Sequence, residues 1–232
     1  MDQQLKEILD LLHRHDITYW LDSGTLLGLM REGKLLKNDM DIDIGVWSDE
    51  DQKLKKIFST INESGYTIYS ASYKGQIFKY NFIPNHNKHK RKVDINLFRE
   101  AKGHAWCPMY YFIFTSNHEK SEARGRKASG ALRSVIRSCW NRLNEKVCLT
   151  VDISSFPWRP FLNVGTWWIP VKYFKKVVYH DGLNAYTPLD WEEYLEFRYG
   201  SWQKKVKGWV FYRDDGGIEE LEPSAVIRQQ ES

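Results

Sequence analysis

The sequence predicts an α+β protein: a sheet flanked by helices, followed by a helical, aromatic-rich C-terminal part. Three observations predict it. Leu5, Ile8, Leu9, Leu11 and Leu12 recur at helical spacing ahead of the first strand signal. Met40, Ile42, Ile44 and Val46 alternate with Asp39, Asp41 and Asp43, so a strand here shows apolar side chains to one face and carboxylates to the other. Two more apolar runs, 66–72 and 76–83, are separated by a short turn and read as a hairpin.

The elements follow in order. Residues 3–15 form an amphipathic helix and Ile17 to Leu21 a short strand. Ser23 caps a helix carrying Leu26, Leu27 and Met30, and Gly24 lets the backbone turn tightly before it. The free N–H groups at such a helix start suit phosphate as well as they suit an ordinary cap. Arg31 and Lys34 at its far end either complement the helix C-terminus or contact an anionic ligand. After the acidic strand, residues 49–64 read as one helix with Leu54, Ile57, Phe58 and Ile61 inward and Gly65 ending it. Residues 84–92 form a polar basic loop whose His86 and His89 have no further zinc ligands nearby. Val93, Ile95 and Leu97 alternate with Asp94 and Asn96 in another strand, and 104–114 is a further apolar strand. Residues 117–137 are basic, with Arg124, Arg126, Lys127, Arg133 and Arg137, and an amphipathic helix is expected over 130–147. Trp158, Trp167 and Trp168 punctuate the stretch 151–180, and residues 190–199 form a helix with Tyr194, Leu195 and Phe197 inward, stopped by Gly200. The polar tail from Glu219 frays.

Composition narrows the function classes. A chain of 232 residues fits one large domain or two small ones. The composition shift after Thr115 divides it into a core, 1–115, and a C-terminal part, 116–232, packed on that core as a wall of the site. A net charge of +4 leaves no nucleic-acid footprint. Cys107, Cys139 and Cys148 form no C-x-x-C pair and cannot all be bridged, which points to a reducing compartment. The first residues, Met-Asp-Gln-Gln, open no apolar leader, and no stretch reaches membrane-spanning length. The expectation is a cytoplasmic protein, at most peripheral to a membrane.

The acidic strand carries the chemistry. Carboxylates packed this closely repel one another unless a cation compensates. Oxygen ligands without a Cys or His pair point to Mg²⁺ or Mn²⁺. Asp39, Asp41, Asp43 and Glu50 also fit positions 1, 3, 5 and 12 of an EF-hand, but Ile44 stands where its turn needs glycine. A merely solvated edge strand is the plainer alternative, against which Asp's poor strand propensity argues. Asp94, on a second strand of the same alternation, is the candidate third metal carboxylate, placed beside Asp41 and Asp43.

The stretch Trp20-Leu-Asp-Ser-Gly-Thr-Leu-Leu-Gly-Leu-Met-Arg31, then Asp39-Met-Asp-Ile-Asp-Ile-Gly45, then Val93-Asp-Ile-Asn-Leu-Phe98 resembles the LicD/fukutin family within the nucleotidyltransferase superfamily. Tyr194-Leu-Glu-Phe-Arg-Tyr-Gly-Ser-Trp202 is similar to the family's closing helix. The likeness covers 17–47, 92–98 and 188–202, and departs where Leu36-Lys37-Asn38 replaces a Pro-Trp pair before the first Asp. It implies a nucleotidyltransferase-like mixed sheet flanked by helices. It further implies transfer of phosphocholine or an alditol phosphate from a CDP-activated donor to a glycan hydroxyl, releasing CMP. Asp39, Asp41, Asp43 and Asp94 are then the metal ligands, and Asp41, Asp43 and Asp94 the catalytic set. Ser23, Gly24, Thr25, Arg31 and Lys34 are then the donor-phosphate residues. A choline donor calls for an aromatic cage, which the Trp and Tyr residues between 158 and 212 supply together with Trp20 and Trp47. Two other readings stay open: a true nucleotidyltransferase moving NMP from an NTP, and a non-catalytic glycan-binding module.

Overall fold

In the computed structural model, residues 2–85, 90–112, 148–155 and 162–219 are described. The His86/His89 pair, the basic run at 117–137, the expected helix at 130–147, Trp158 and the tail beyond 219 lie outside the described residues.

The apolar stripe of the first segment does what its spacing predicts. Helix α1 (Gln3–Arg14) buries Leu5, Ile8, Leu9, Leu11 and Leu12, and the Asp2 carboxylate caps it by accepting the Leu5 N–H at 3.1 Å. Strand β1 (Tyr19–Leu21) leads into α2 (Ser23–Glu32), which ends on Gly33 at φ +66°. Strand β2 (Asp41–Trp47) follows, with Ile42, Ile44 and Val46 fully buried. Met40 departs from its expected inward place: the strand begins one residue later and Met40 is 72% exposed.

The expected single helix over 49–64 is two short ones, α3 (Asp51–Lys56) and α4 (Phe58–Glu63), behind a 3₁₀ turn at Ser48–Glu50. The break is local. The Ile57 N–H reaches the Leu54 carbonyl at 3.1 Å, a bond three residues back instead of four. That tightening sets the Phe58 ring edge-on to Tyr80 at 4.9 Å, and Leu54, Ile57, Phe58 and Ile61 are all buried as expected.

Strands β3 (Tyr66–Tyr73) and β4 (Gln76–Pro84) form the expected hairpin. Strand β5 (Lys92–Ala101) lies antiparallel to β4 and parallel to β2, and β2 in turn pairs antiparallel with β1. Beyond residue 98, β5 pairs with β6 (His104–Phe112), which pairs with β8 (Leu162–Pro170) and through it with β11 (Ile218–Glu219). Strand β7 (Leu149–Asp152) adds in parallel to β3 at the other edge. The result is the mixed, largely antiparallel sheet flanked by helices that the sequence predicts, and strands from both halves of the chain share it. A small ribbon, β9 (Val177–His180) with β10 (Ala185–Pro188), and helices α5 (Trp191–Tyr199) and α6 (Phe211–Asp214) complete the described residues. Among those residues no helix is long and apolar enough to cross a membrane.

Trp20 is fully buried and stacks on Phe174 at 4.4 Å, with Trp47 edge-on at 5.4 Å. Both are therefore core aromatics and not the cage residues the sequence offered them as. The Trp20 indole lies over Gly45, where an added Cβ would come within 2.3 Å of the ring. Gly45→Ala is expected to force the indole aside and destabilise the fold by about 1–3 kcal/mol, the usual cost of overpacking a dense core. A urea midpoint equal to wild type would show that the core gives way freely.

Candidate active site

Strand register assembles the site. In the parallel β2–β5 pair, Asp41 lies opposite Lys92 and Asp43 opposite Asp94. In the β4–β5 pair, Lys79 lies opposite Asn96 and Asn81 opposite Asp94. Opposed and alternate residues share a face, so three neighbouring strands present Asp41, Asp43, Lys92, Asp94, Asn96 and Lys79 together. Asp94 thus stands beside Asp43, as its strand alternation predicted. This face floors a cavity of about 720 Å³. Ser23 and Gly24 at the start of α2 line one wall, and Arg198, Tyr199, Trp202, Trp209 and Phe211 line another.

Asp39 joins from the loop before β2. Its carboxylate lies against the backbone of residue 24, where a Cβ would meet Oδ2 at 2.1 Å. Glycine is needed there for close approach as well as for any turn. Oxygens of Asp39, Asp41 and Asp43 all come within 4.8 Å of one another. Burial, then the Asp41 carboxylate, pushes Asp39 up to about 7. Burial pulls the same way on Asp41, but Lys92 and a hydrogen bond from Asp39 overcome it and hold Asp41 down at about 2. Burial and the Asp41 and Asp94 carboxylates raise Asp43 well above the usual range. Asp39 and Asp43 thus hold their protons more tightly than ordinary carboxylates, as buried like charges do.

Two lysines answer part of it. Lys79 and Lys92 place their ammonium groups 2.6 and 2.7 Å from the same oxygen of Asp94, Oδ2, and Lys92 also lies 3.2 Å from Asp41. Burial works against charge on both lysines, and Asp94 outweighs it, so both stay ionised. Asp94 Oδ1 is buried with no hydrogen-bond partner. The ion pairs of the floor reach only Asp94 and Asp41, so Asp39 and Asp43 have no cation within ion-pair distance among the described residues, and a divalent cation on oxygen ligands would supply one. The residues present therefore fit Mg²⁺ or Mn²⁺.

The start of α2 differs from its expected build. Asp22, and not Ser23, is the cap: its carboxylate accepts the Ser23 N–H at 2.7 Å, and Ser23 itself sits in the left-handed region at φ +47°. Arg198 holds this arrangement. Its guanidinium reaches Asp22 at 3.2 Å, Ser23 Oγ at 3.2 Å and both oxygens of Asp215 at 2.5 and 2.7 Å, while Tyr194 donates a hydrogen bond to Asp22. Thr25 does not face the cavity. It is buried, and its hydroxyl accepts the Asp43 N–H at 2.8 Å, tying α2 to β2. Arg31 lines the cavity beside Trp202, whose carbonyl it approaches at 3.4 Å, and pairs with Glu32 at 3.1 Å. Lys34 is exposed in the turn after α2 and lies outside the cavity lining, while the 34–36 backbone packs closely across Gly28 of the helix.

Sequence reasoning missed Lys79, Lys92, Asp22 and Arg198. The first two left a trace: Lys79-x-Asn81 and Lys92-x-Asp94-x-Asn96 are polar alternations inside otherwise apolar strands. Only the register between β4 and β5 shows that the two traces meet. Gly24→Ala is expected to displace Asp39 from the cluster and weaken Mn²⁺ binding at least tenfold with little change in thermal stability. Unaltered Mn²⁺ affinity in that variant would remove Asp39 from the cation site.

Several known proteins are similar to this chain. The model of the LicD/FKTN/FKRP nucleotidyltransferase domain matches residues 16–123. An uncharacterized protein of Rickettsia prowazekii is 36% identical over 72 residues, 31% of this chain and 27% of its own length. The ribitol 5-phosphate transferase FKRP of Mus musculus is 24% identical over 87 residues, 35% of this chain and 17% of that protein. The chain thus spans less than a third of the length of these curated relatives. Among solved structures, the lincomycin-bound lincosamide antibiotic adenylyltransferase LnuA overlays 46% of this chain and 61% of its own with a TM-score of 0.33 and 23% identity.

Proposed function

From a chain whose residues 16–123 match the LicD/FKTN/FKRP nucleotidyltransferase domain, we propose a transferase that moves a phospho-substituent from a CDP-activated donor to a glycan hydroxyl. The observation that carries this reading is the convergence of Asp39, Asp41 and Asp43 beside Lys79, Lys92 and Asp94 on the floor of one cavity. In the reaction the acceptor oxygen forms a bond to the donor's distal phosphorus. The bond from that phosphorus to the bridging oxygen breaks, and CMP leaves with its electron pair. Asp39, Asp41 and Asp43 would hold Mg²⁺ or Mn²⁺, which when bound supplies charge neutralisation on the diphosphate. Asp94, on the same cavity floor, would accept the hydroxyl proton. Ser23 and Gly24 at the helix start orient the donor phosphate, and Arg31 adds positive charge to the cavity wall from the far end of the same helix.

The transferred group on this reading is phosphocholine. Tyr199, Trp202, Trp209 and Phe211 line the same cavity and supply its aromatic surface. Aromatic faces host a quaternary ammonium, each contributing about 0.5–2 kcal/mol. The match to a ribitol 5-phosphate transferase supports an alditol phosphate as the second reading. A panel of CDP-choline, CDP-ribitol and CDP-glycerol with Mn²⁺, followed for CMP, separates the two. CMP from CDP-choline is the expected result. CMP from CDP-ribitol alone moves the assignment to the alditol, and diphosphate released from CTP or ATP with no CMP from any CDP compound replaces the reaction with nucleotidyl transfer.

A further inference from the structure

We propose that Lys79 and Lys92 are the cations that hold the donor's diphosphate, and that Asp94 is the residue that positions them. The inference rests on the functional reading above and deepens it. Its ground is an arrangement that simple charge pairing does not require. Both ammonium groups contact one oxygen of one carboxylate, Asp94 Oδ2, at 2.6 and 2.7 Å. Two like charges are thereby held side by side, although Asp43 lies directly across from Asp94 on the next strand and has no lysine of its own within ion-pair distance among the described residues.

An ammonium group carries three N–H donors. Among the described residues Lys79 has Asp94 alone as an ion-pair partner, and Lys92 has Asp94 and Asp41. Donors are therefore left over on both, and both side chains line the cavity with about a fifth to a quarter of their surface exposed, 19% and 26%. Once Asp41 is committed to a metal, Lys92 has still more to give. The ligand that uses such a pair is an anion with acceptor oxygens on two neighbouring centres, which is a diphosphate. Asp94 is rigid enough to hold both lysines, being 2% exposed and placed mid-strand between β2 and β4. Of the two cations that the sequence offered for this role, Lys34 is exposed outside the cavity and Arg31, on the cavity wall, is paired with Glu32.

The test is direct binding of CDP and, separately, of Mn²⁺ to the full chain, for wild type and for Lys79→Gln, Lys92→Gln and Lys92→Arg. The expected result is a CDP affinity at least tenfold weaker in each Gln variant and largely restored in Lys92→Arg, with a shallower salt dependence. Mn²⁺ affinity should hold or rise, because a competing positive charge has gone. A purely structural role for the lysines gives the opposite pattern, with CDP affinity within twofold of wild type and Mn²⁺ affinity falling as the carboxylates splay, and that pattern overturns the inference. In Lys79→Gln Asp94 keeps Lys92 as its partner, and in Lys92→Gln it keeps Lys79, so thermal unfolding of each variant checks that the comparison is made in a folded protein. If wild type itself binds no CDP in Mn²⁺, the functional reading falls and takes this inference with it.

Discussion

Asp41→Asn and Asp43→Asn are each expected to abolish turnover, with a loss on the order of a thousandfold or more, while the fold stays intact. The substitution keeps shape and removes charge, so it tests electrostatics with little change in packing. Both residues present their oxygens within 4.8 Å of a third carboxylate, and losing one anionic ligand should cost several kcal/mol of transition-state stabilisation. Stability should move the other way at Asp43. Its carboxylate is raised far above the ordinary range by burial and by Asp41 and Asp94, so in the metal-free protein an amide there relieves repulsion. Steady-state CMP release and a thermal melt on each variant check the two halves. Full activity in either variant, or in wild type with excess EDTA, removes the metal from the account.

The second large effect falls on the fold. Arg198→Met is expected to destabilise the protein by about 3–5 kcal/mol, a large part of the stability of an ordinary domain. Arg198 is 1% exposed and sits between Asp22 and Asp215, themselves 2% and 5% exposed. Removing it leaves two buried carboxylates without a countercharge. Its guanidinium also lies 4.2 Å from the Trp167 ring centre, so packing is lost as well. The site suffers in parallel, because Asp22 caps α2 and Ser23 leans on the same guanidinium. Chemical denaturation measures the loss, and Arg198→Met combined with Asp215→Asn should regain part of it. A loss under about 1 kcal/mol in the single variant would mean that water reaches and relieves the carboxylates.

How far the sequence reached follows from the range of each interaction. Local patterns were legible. The α1 stripe, the alternation of β2, the β3–β4 hairpin and the glycine stops at 65 and 200 all rest on residues within a few positions of one another. The carboxylates were legible for the same reason, since a strand's period puts Asp41 and Asp43 on one face whatever lies beside it. The pairing of Asp43 with Asp94 followed because both strands carry the same alternation. What stayed hidden depends on distant partners. Asp22 displaces Ser23 as the cap because Tyr194 and Arg198, over 170 residues on, hold its carboxylate. Thr25 turns inward because the Asp43 N–H needs an acceptor there. Lys79 and Lys92 meet only through the register of β4 on β5, which no local pattern specifies. The helix over 49–64 was right in its buried residues and wrong in its continuity, since a single three-residue bond at Ile57 leaves no mark in hydrophobic spacing.

Equilibrium Mn²⁺ binding, followed by the electron paramagnetic resonance of the free ion, tests the central claim most directly, because it asks whether the Asp39–Asp41–Asp43 cluster is a cation site without needing the donor or the acceptor. The account predicts saturable binding to wild type, competed by Mg²⁺, strengthened by CDP, and reduced at least tenfold by Asp41→Asn and by Asp43→Asn. Mn²⁺ that binds no more tightly to wild type than to the two Asn variants would contradict it, and would leave the acidic face balanced by Lys79 and Lys92 alone.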